Sequence, residues 1–365
     1  MDLVYENSVS AIETLQTRFQ QQKNVFFTIS NFGDPRYAFL FYAPLIFSLD
    51  RRTGTKLMWV TIIAEWSNQV LKWVLHGERP YWWIHETQVY NKTGSNTPAI
   101  QQYFMTCETG PGSPSGHSMV SAAVWYILIT AFLEKSGAVR NNHKNILVSI
   151  SWSIYTILLC VVSLSRVYIA AHFPHQCLLG MVIGCGLATI MSKFSLDTLK
   201  LKHYVIATFG LLGSALTTYG VLRVLGLNPL WSVDRAMKWC AKQEYIHVDT
   251  TPFFSMMRYC GYMLGMGIGL NSMFNKKAEK VPFSMGMKVT SALLAVGVAK
   301  LSEQVTLPKG SSSRSHLFVS FHISCIIING VHKILVSGSR TLQTLQRGKV
   351  TAEKLGSLVN SVRYI

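Results

Sequence analysis

Charge is scarce in this chain. Only 14% of its 365 residues are Asp, Glu, Lys or Arg, 49% are hydrophobic, and mean hydropathy is +0.25. That balance excludes an ordinary water-soluble domain, whose surface needs many more charges. Acidic residues are scarcer than basic ones, 17 against 34, for a net charge of +17. The Lys and Arg residues are spread over short loops between apolar runs rather than gathered into a patch. This argues against a nucleic-acid partner and for membrane topology. Cysteines number seven, an odd count, and Cys160, Cys177, Cys185, Cys260 and Cys325 lie in apolar segments. A disulfide framework is therefore not expected. Cys107 and Cys240 fall in loops, which leaves one bridge open to them. No CxxC or HExxH pattern occurs, so neither a metal site nor a cofactor is expected. Residues 1–24 lack a basic start followed by an apolar core, so no cleaved signal peptide is expected.

What the chain does contain is a succession of apolar runs of roughly bilayer-crossing length, about 20 residues. They fall at 36–49, 57–76, 118–134, 146–165, 177–192, 204–225, 253–274, 283–301 and 317–337. The first is short and follows Gly33-Asp34-Pro35; the last carries His322, His332 and Lys333. The pattern predicts an all-α polytopic membrane protein with about nine transmembrane helices. Ahead of them, Ile12, Leu15 and Phe19 at helical spacing make residues 1–24 a partly amphipathic arm. Gly261, Gly265, Gly267 and Gly269 in the seventh run suit close helix contact.

Basic residues orient the set. Loops after odd-numbered runs carry Arg51, Arg52 and Lys56; Lys135, Arg140 and Lys144; Lys193, Lys200 and Lys202; and Lys276, Lys277 and Lys280. By the positive-inside rule these face the cytoplasm with the C-terminal tail, and the N-terminus faces the lumen. Asn91-Lys92-Thr93, the one N-x-S/T sequon, then lies in a luminal loop, where Asn91 can carry a glycan.

Three clusters share that luminal side. Cys107 to His117 (Cys-Glu-Thr-Gly-Pro-Gly-Ser-Pro-Ser-Gly-His) cannot continue a helix, yet feeds straight into the third run. Ser115, Gly116 and His117 thus stand at a helix N-terminus, where unpaired N–H groups favour an anion. His117 beside it can exchange a proton near neutral pH. The second cluster is Lys72 to Arg79-Pro80, two cations that share a helix face if the helix continues that far. The third is Ser165-Arg166 with His172, which a following Pro174 leaves near a chain break. Taken singly, each has a plain reading: a capping histidine, a lysine anchoring a helix end, a snorkelling arginine. Together, three cations, two imidazoles and an anion-binding helix start suffice for phosphoryl transfer without a metal.

Lys72-x6-Arg79-Pro80, Pro114-Ser115-Gly116-His117 and Ser165-Arg166-x5-His172 resemble the signature of the type 2 phosphatidic acid phosphatase and vanadium haloperoxidase superfamily. The flanks are similar to the glucose-6-phosphatase catalytic subunit family: Asp34-Pro-Arg36, Arg79-Pro-Tyr-Trp-Trp83, the whole of Cys107 to His117, Ala171 to Gln176, and Ile246 to Pro252. The resemblance covers roughly residues 25–300 and implies nine helices around a phosphatase-type helical core. Its domain scheme is a luminal arm (1–24), a catalytic membrane core (25–225), further helices and luminal loops (226–340) and a cytoplasmic tail (341–365).

The resemblance further implies hydrolysis of glucose 6-phosphate in the endoplasmic reticulum lumen, the last step of gluconeogenesis and glycogenolysis, through a phosphohistidine. His172 would be the nucleophile and His117 the general acid and base. Lys72, Arg79 and Arg166 would bind the phosphoryl oxygens, helped by the Ser115 and Gly116 backbone. Sugar phosphate, membrane lipid and functional coupling to a glucose-6-phosphate translocase are the implied partners. The superfamily usually places an Asp four residues after the nucleophile; Gln176 stands there, as in the glucose-6-phosphatase branch, and Asp34 and Glu108 are further candidates for orienting His172. The last residues, Ser361 to Ile365, lack that family's dilysine retrieval signal. A lipid phosphate phosphatase of the same superfamily, or a weakly active or non-enzymatic paralogue, is the alternative. Trp82 and Trp83 fit either a sugar pocket or an interfacial anchor.

Overall fold

A computed structural model describes residues 2–94, 96–138, 145–247, 250–273, 275 and 284–303. The ninth predicted run, the tail, Arg140, Lys144, Lys276, Lys277 and Lys280 lie outside the described residues. Where the other predicted runs are described, they fall on helices. α1 (Asp2–Arg18) and α2 (Lys23–Phe32) precede α3 (35–49), in which a π-helical turn spans Ala38–Tyr42. Then come α4 (Arg51–Leu75), the short α5 (Pro80–Glu86) and α6 (Val89–Thr93), α7 (Gly116–Lys135), α8 (Asn145–Tyr168), α9 (Pro174–Ser192), α10 (Leu201–Val224), α11 (Trp231–Trp239), α12 (Pro252–Asn271) and α13 (Met285–Glu303). Helix α2 carries polar Thr28, Ser30 and Asn31 among its apolar residues, which hid it in the sequence.

Local chemistry sets the helix starts. Asp34 and Asp50 accept backbone N–H bonds from Arg36 (2.8 Å) and Thr53 (3.2 Å), capping α3 and α4. Pro35, Pro80, Pro174 and Pro252 sit in the first turns of α3, α5, α9 and α12, where a missing N–H costs nothing. Helix α4 stops at Leu75 because His76 turns left-handed, φ 46°. The helix therefore does not reach Arg79, which instead precedes α5; Lys72 and Arg79 do not share a helix face.

Among the described residues, four helices, 116–135, 146–168, 174–192 and 201–224, are long and apolar enough to cross a membrane. On α8, Ile146, Ile150, Ile154 and Ile157 project from one exposed face, as a lipid-facing stripe does. Helices α4, α7, α8 and α9 run alternately up and down. Lys135 pairs with Asp50 at 2.8 Å and Lys56 donates to the Ser192 carbonyl at 2.7 Å, tying together the ends remote from the candidate site. Helix α9 crosses α7 so closely that a Cβ on Gly180 would stand 2.6 Å from the Ser115 carbonyl oxygen, and one on Gly184 2.2 Å from that of Met119. Helices α10 and α12 pack on each other and on α4, while α13 lies on α3. Among the four glycines singled out on α12, Gly267 meets Tyr204 of α10.

The other end of the bundle is closed by α1, α5 and α11. Tyr5, Trp82, Trp83 and Phe173 are buried together there; such burial stabilises by on the order of 2 kcal/mol per ring. Gln16 of α1 donates to the Tyr168 carbonyl at 2.7 Å. A disulfide joins Cys107 to Cys240, with Cα atoms 5.9 Å apart. Trp82 and Trp83 are thus packing residues of this cap, and neither borders the cavity described next.

Candidate active site

A cavity of about 130 Å³ opens where α4, α7, α8 and α12 converge. Lys72, Glu108, Gly116, His117 and Arg166 line it, and Asp34 borders it. Each position follows from a chain feature already met. Lys72 is in the last turn of α4. Ser115 caps α7, its Oγ accepting from Ser118 N at 3.5 Å, which leaves His117 in the first turn. Arg166 is in the last turn of α8, and His172 occupies the turn before Pro174.

Glu108 is the centre of the arrangement. Its carboxylate accepts from Arg79 Nη2 at 3.0 Å and forms a second ion pair with Arg166 Nη2. His117 Nδ1 stands 3.9 Å from one of its oxygens and His172 Nε2 3.8 Å from the other. Burial alone would raise the Glu108 carboxyl, but Arg166 and Arg79, then the two histidines, hold it well below the usual carboxylate range. Arg79 and His172 are wholly buried behind it and do not reach the cavity. Arg79 is pinned by the Gly110, Ala171 and Pro111 carbonyls at 2.7, 2.9 and 3.2 Å. Arg166 donates to Ser30 Oγ at 2.7 Å, while its Nε and His117 Nε2 are buried without a hydrogen-bond partner among the described residues.

His172 is oriented through Nδ1, which lies 2.7 Å from the Gly112 carbonyl oxygen and 3.3 Å from Gln176 Oε1. A carbonyl only accepts, so Nδ1 carries the proton and Nε2 presents its lone pair toward Glu108 and Arg79. Burial, then the Arg79 guanidinium, holds this imidazole well below its ordinary value, so it is neutral near pH 7. Gln176 is fixed in turn: its Oε1 accepts from Phe173 N at 3.1 Å and its Nε2 donates to the Glu78 carbonyl at 2.6 Å.

Three expectations change. Asp34 does not orient His172; it pairs with Arg36 at 2.6 Å beside the cavity. Glu108 does not hold Nδ1 either, since it faces the opposite nitrogen. Ser115 has no free backbone donor for an anion, because its N–H bonds the Gln176 carbonyl at 3.0 Å, and Gly116 is the member of that pair that borders the cavity.

Sequence reasoning missed Glu65, Asn68 and Gln69 of α4 and Arg258 of α12, all of which border the cavity. Glu65 and Arg258 form a two-point ion pair at 3.1 and 2.9 Å. The signal was available: Glu65, Asn68, Gln69 and Lys72 are polar at i, i+3, i+4 and i+7 of an otherwise largely apolar run. Asn91 is exposed on α6.

Residues 53–199 match the family model described as the PAP2 superfamily. The glucose-6-phosphatase catalytic subunit 1 of Haplochromis nubilus is 39% identical over 83% of this chain and 84% of its own length. Glucose-6-phosphatase 2 of Homo sapiens is 37% identical over 87% and 90%. The catalytic subunit 1 of Canis lupus familiaris is 37% identical over 80% and 84%. No solved structure gives a significant match.

Proposed function

The chain belongs to the glucose-6-phosphatase family, and from that premise we propose that it hydrolyses glucose 6-phosphate to glucose and phosphate through a phosphohistidine at His172. One observation carries the mechanism: an anionic carboxylate, that of Glu108, is bound by two arginines and flanked by two imidazoles. A phosphoryl group has the same charge sign and the same taste for guanidinium forks. It takes the place of Glu108 between Arg79 and Arg166, with the Lys72 ammonium and the Gly116 end of α7 on the cavity side.

His172 Nε2 then attacks phosphorus. The bond from phosphorus to the sugar oxygen breaks, and His117 gives its proton to that oxygen. In the second half His117 takes a proton from water, the water oxygen bonds phosphorus, and the phosphorus–nitrogen bond breaks to release phosphate. The Gly112 carbonyl holds the Nδ1 proton and so keeps the lone pair on Nε2 throughout. Charge spread over the phosphoryl oxygens is met by cations already in place, which removes reorganisation from the barrier.

The same reading puts the site in the endoplasmic reticulum lumen and the protein in that membrane. The Cys107–Cys240 bridge needs an oxidising compartment, and the Asn91 sequon lies on the same face of the molecule. Lys56, Lys135 and Lys193 lie at the remote helix ends, as cytoplasmic residues do. A charged sugar ester does not cross a bilayer unaided, so a translocase supplies it.

The test is phosphate release by detergent-solubilised protein from glucose 6-phosphate, mannose 6-phosphate and phosphatidic acid, beside His172→Ala. Release from the glucose ester that disappears in the variant supports the reading. Preference for the lipid, or release that survives His172→Ala, refutes it.

A further inference from the structure

The phosphoryl chemistry uses one end of the cavity and leaves the other end without a role. Helix α4 presents Glu65, Asn68, Gln69 and Lys72 to it, four polar side chains on one face, each less than a tenth exposed. Burying such groups in a helix within an apolar bundle is costly, so each requires a partner or a task. Lys72 has the phosphoryl group. Asn68 holds the catalytic loop, its Nδ2 donating to the Pro114 carbonyl at 3.1 Å. Glu65 and Gln69 do neither. Glu65 binds Arg258, and each of its oxygens keeps lone-pair capacity beyond that bond. Gln69 Nε2 is buried with no hydrogen-bond partner among the described residues.

We infer that Gln69, with the Glu65–Arg258 pair beside it, is the specificity wall that reads the hydroxyl groups of the leaving sugar. The inference rests on the proposed hydrolysis for the position of the phosphoryl group. A hydroxyl both donates and accepts, and this wall offers both counterparts: amide and guanidinium N–H groups, and carboxylate and amide oxygens. Spacing agrees as well. Gln69 lies about 4.5 Å and Glu65 about 10 Å along the helix axis from Lys72. A hexose extending from a phosphoryl group at Lys72 passes the amide first and the ion pair next.

Gln69→Leu tests this, because it keeps the approximate volume and removes the hydrogen bonds. The readout is the ratio of kcat/KM for glucose 6-phosphate to that for phenyl phosphate, whose leaving group has no further hydroxyls. Loss of a net neutral hydrogen bond lowers that ratio about fivefold. A ratio unchanged within twofold, including an equal loss on both esters, overturns the inference. Binding gives a second readout that does not need turnover. Glucose alone should raise the thermal midpoint of the wild type and raise that of Gln69→Leu less, while inorganic phosphate raises both alike. If the wild type hydrolyses neither ester, the proposed reaction falls and the glucose arm still decides the wall. Glucose acting equally on both proteins, or on neither, overturns it. Should the Leu variant not fold, Gln69→Asn, which shortens the reach of the amide, is expected to shift both readouts in the same direction.

Discussion

Glu108→Gln separates the charge of the central carboxylate from its shape. In the free protein that carboxylate pairs with two guanidiniums, Arg79 and Arg166, which are 0% and 1% exposed. The amide keeps a hydrogen-bond acceptor but leaves two buried cations facing each other. Breaking a buried ion pair by removing one partner costs about 3–5 kcal/mol. At about 2 °C per kcal/mol for a chain of this size, the ligand-free thermal midpoint falls by roughly 6–10 °C. Inorganic phosphate should return most of that deficit, because in the variant it supplies the missing charge. In the wild type it must first displace Glu108, so its gain is only the difference between two anions. The assay is thermal unfolding in detergent with and without saturating phosphate. The phosphate-induced rise should be several degrees larger in Glu108→Gln than in the wild type. Equal rises, or a ligand-free variant as stable as the wild type, refute the view that Glu108 stands in the phosphoryl position.

Two further outcomes are expected. Gly184→Ala drives a Cβ to 2.2 Å from the Met119 carbonyl oxygen, so α9 must move off α7 at a cost of at least about 1–3 kcal/mol, whereas Gly186→Ala meets nothing within 4 Å; comparable thermal midpoints for the two variants would overturn this packing. Burial raises the Asp34 carboxyl, but Arg36, then His117 and the Arg36 backbone N–H, hold it down at about 2, so its contribution to stability is complete above its unfolded value near 4 and is lost as pH falls toward 2. The gap in midpoint between wild type and Asp34→Asn should be constant above about pH 5 and close over that acid window.

The legible parts of this protein were those where one local rule dominates. Apolar runs placed α4, α7, α8, α9, α10, α12 and α13 as helices, because a sustained apolar run of this length has few other ways to satisfy its backbone; among the described residues, α7 to α10 are the ones long and apolar enough to cross a membrane. The Gly/Pro-rich stretch before His117 announced a loop feeding a helix for equally local reasons. Tertiary matters were hidden. That His172 is held by the Gly112 carbonyl depends on the 110–116 loop folding under the α8–α9 turn, which no spacing encodes. Lys72 lines the cavity from α4 while Arg79 holds the Glu108 carboxylate from the chain before α5, because a left-handed His76 ends α4 between them. Glu65 and Gln69 were obscured by their apolar neighbours, although their helical register with Lys72 was visible in the string. The sequence left a Cys107–Cys240 bridge open without requiring it; whether the two thiols pair depends on the 102–108 and 239–245 loops lying side by side, which no spacing encodes.

The segment bearing Glu108 is fastened on every side. The disulfide holds Cys107, and His247 N donates to its carbonyl at 3.0 Å. Tyr81 donates to the Glu108 carbonyl at 3.0 Å, Thr250 Oγ1 accepts from Thr109 N at 3.0 Å, and Arg79 holds the Gly110 carbonyl. A backbone so tethered cannot swing aside to admit substrate. Whatever clearance the phosphoryl group needs must come from rotation about the bonds of one glutamate side chain. Admission is then a rotamer exchange, intrinsically far faster than the microseconds to milliseconds of a hinged lid. The slow step of the cycle should accordingly lie in chemistry or product release rather than in opening the site.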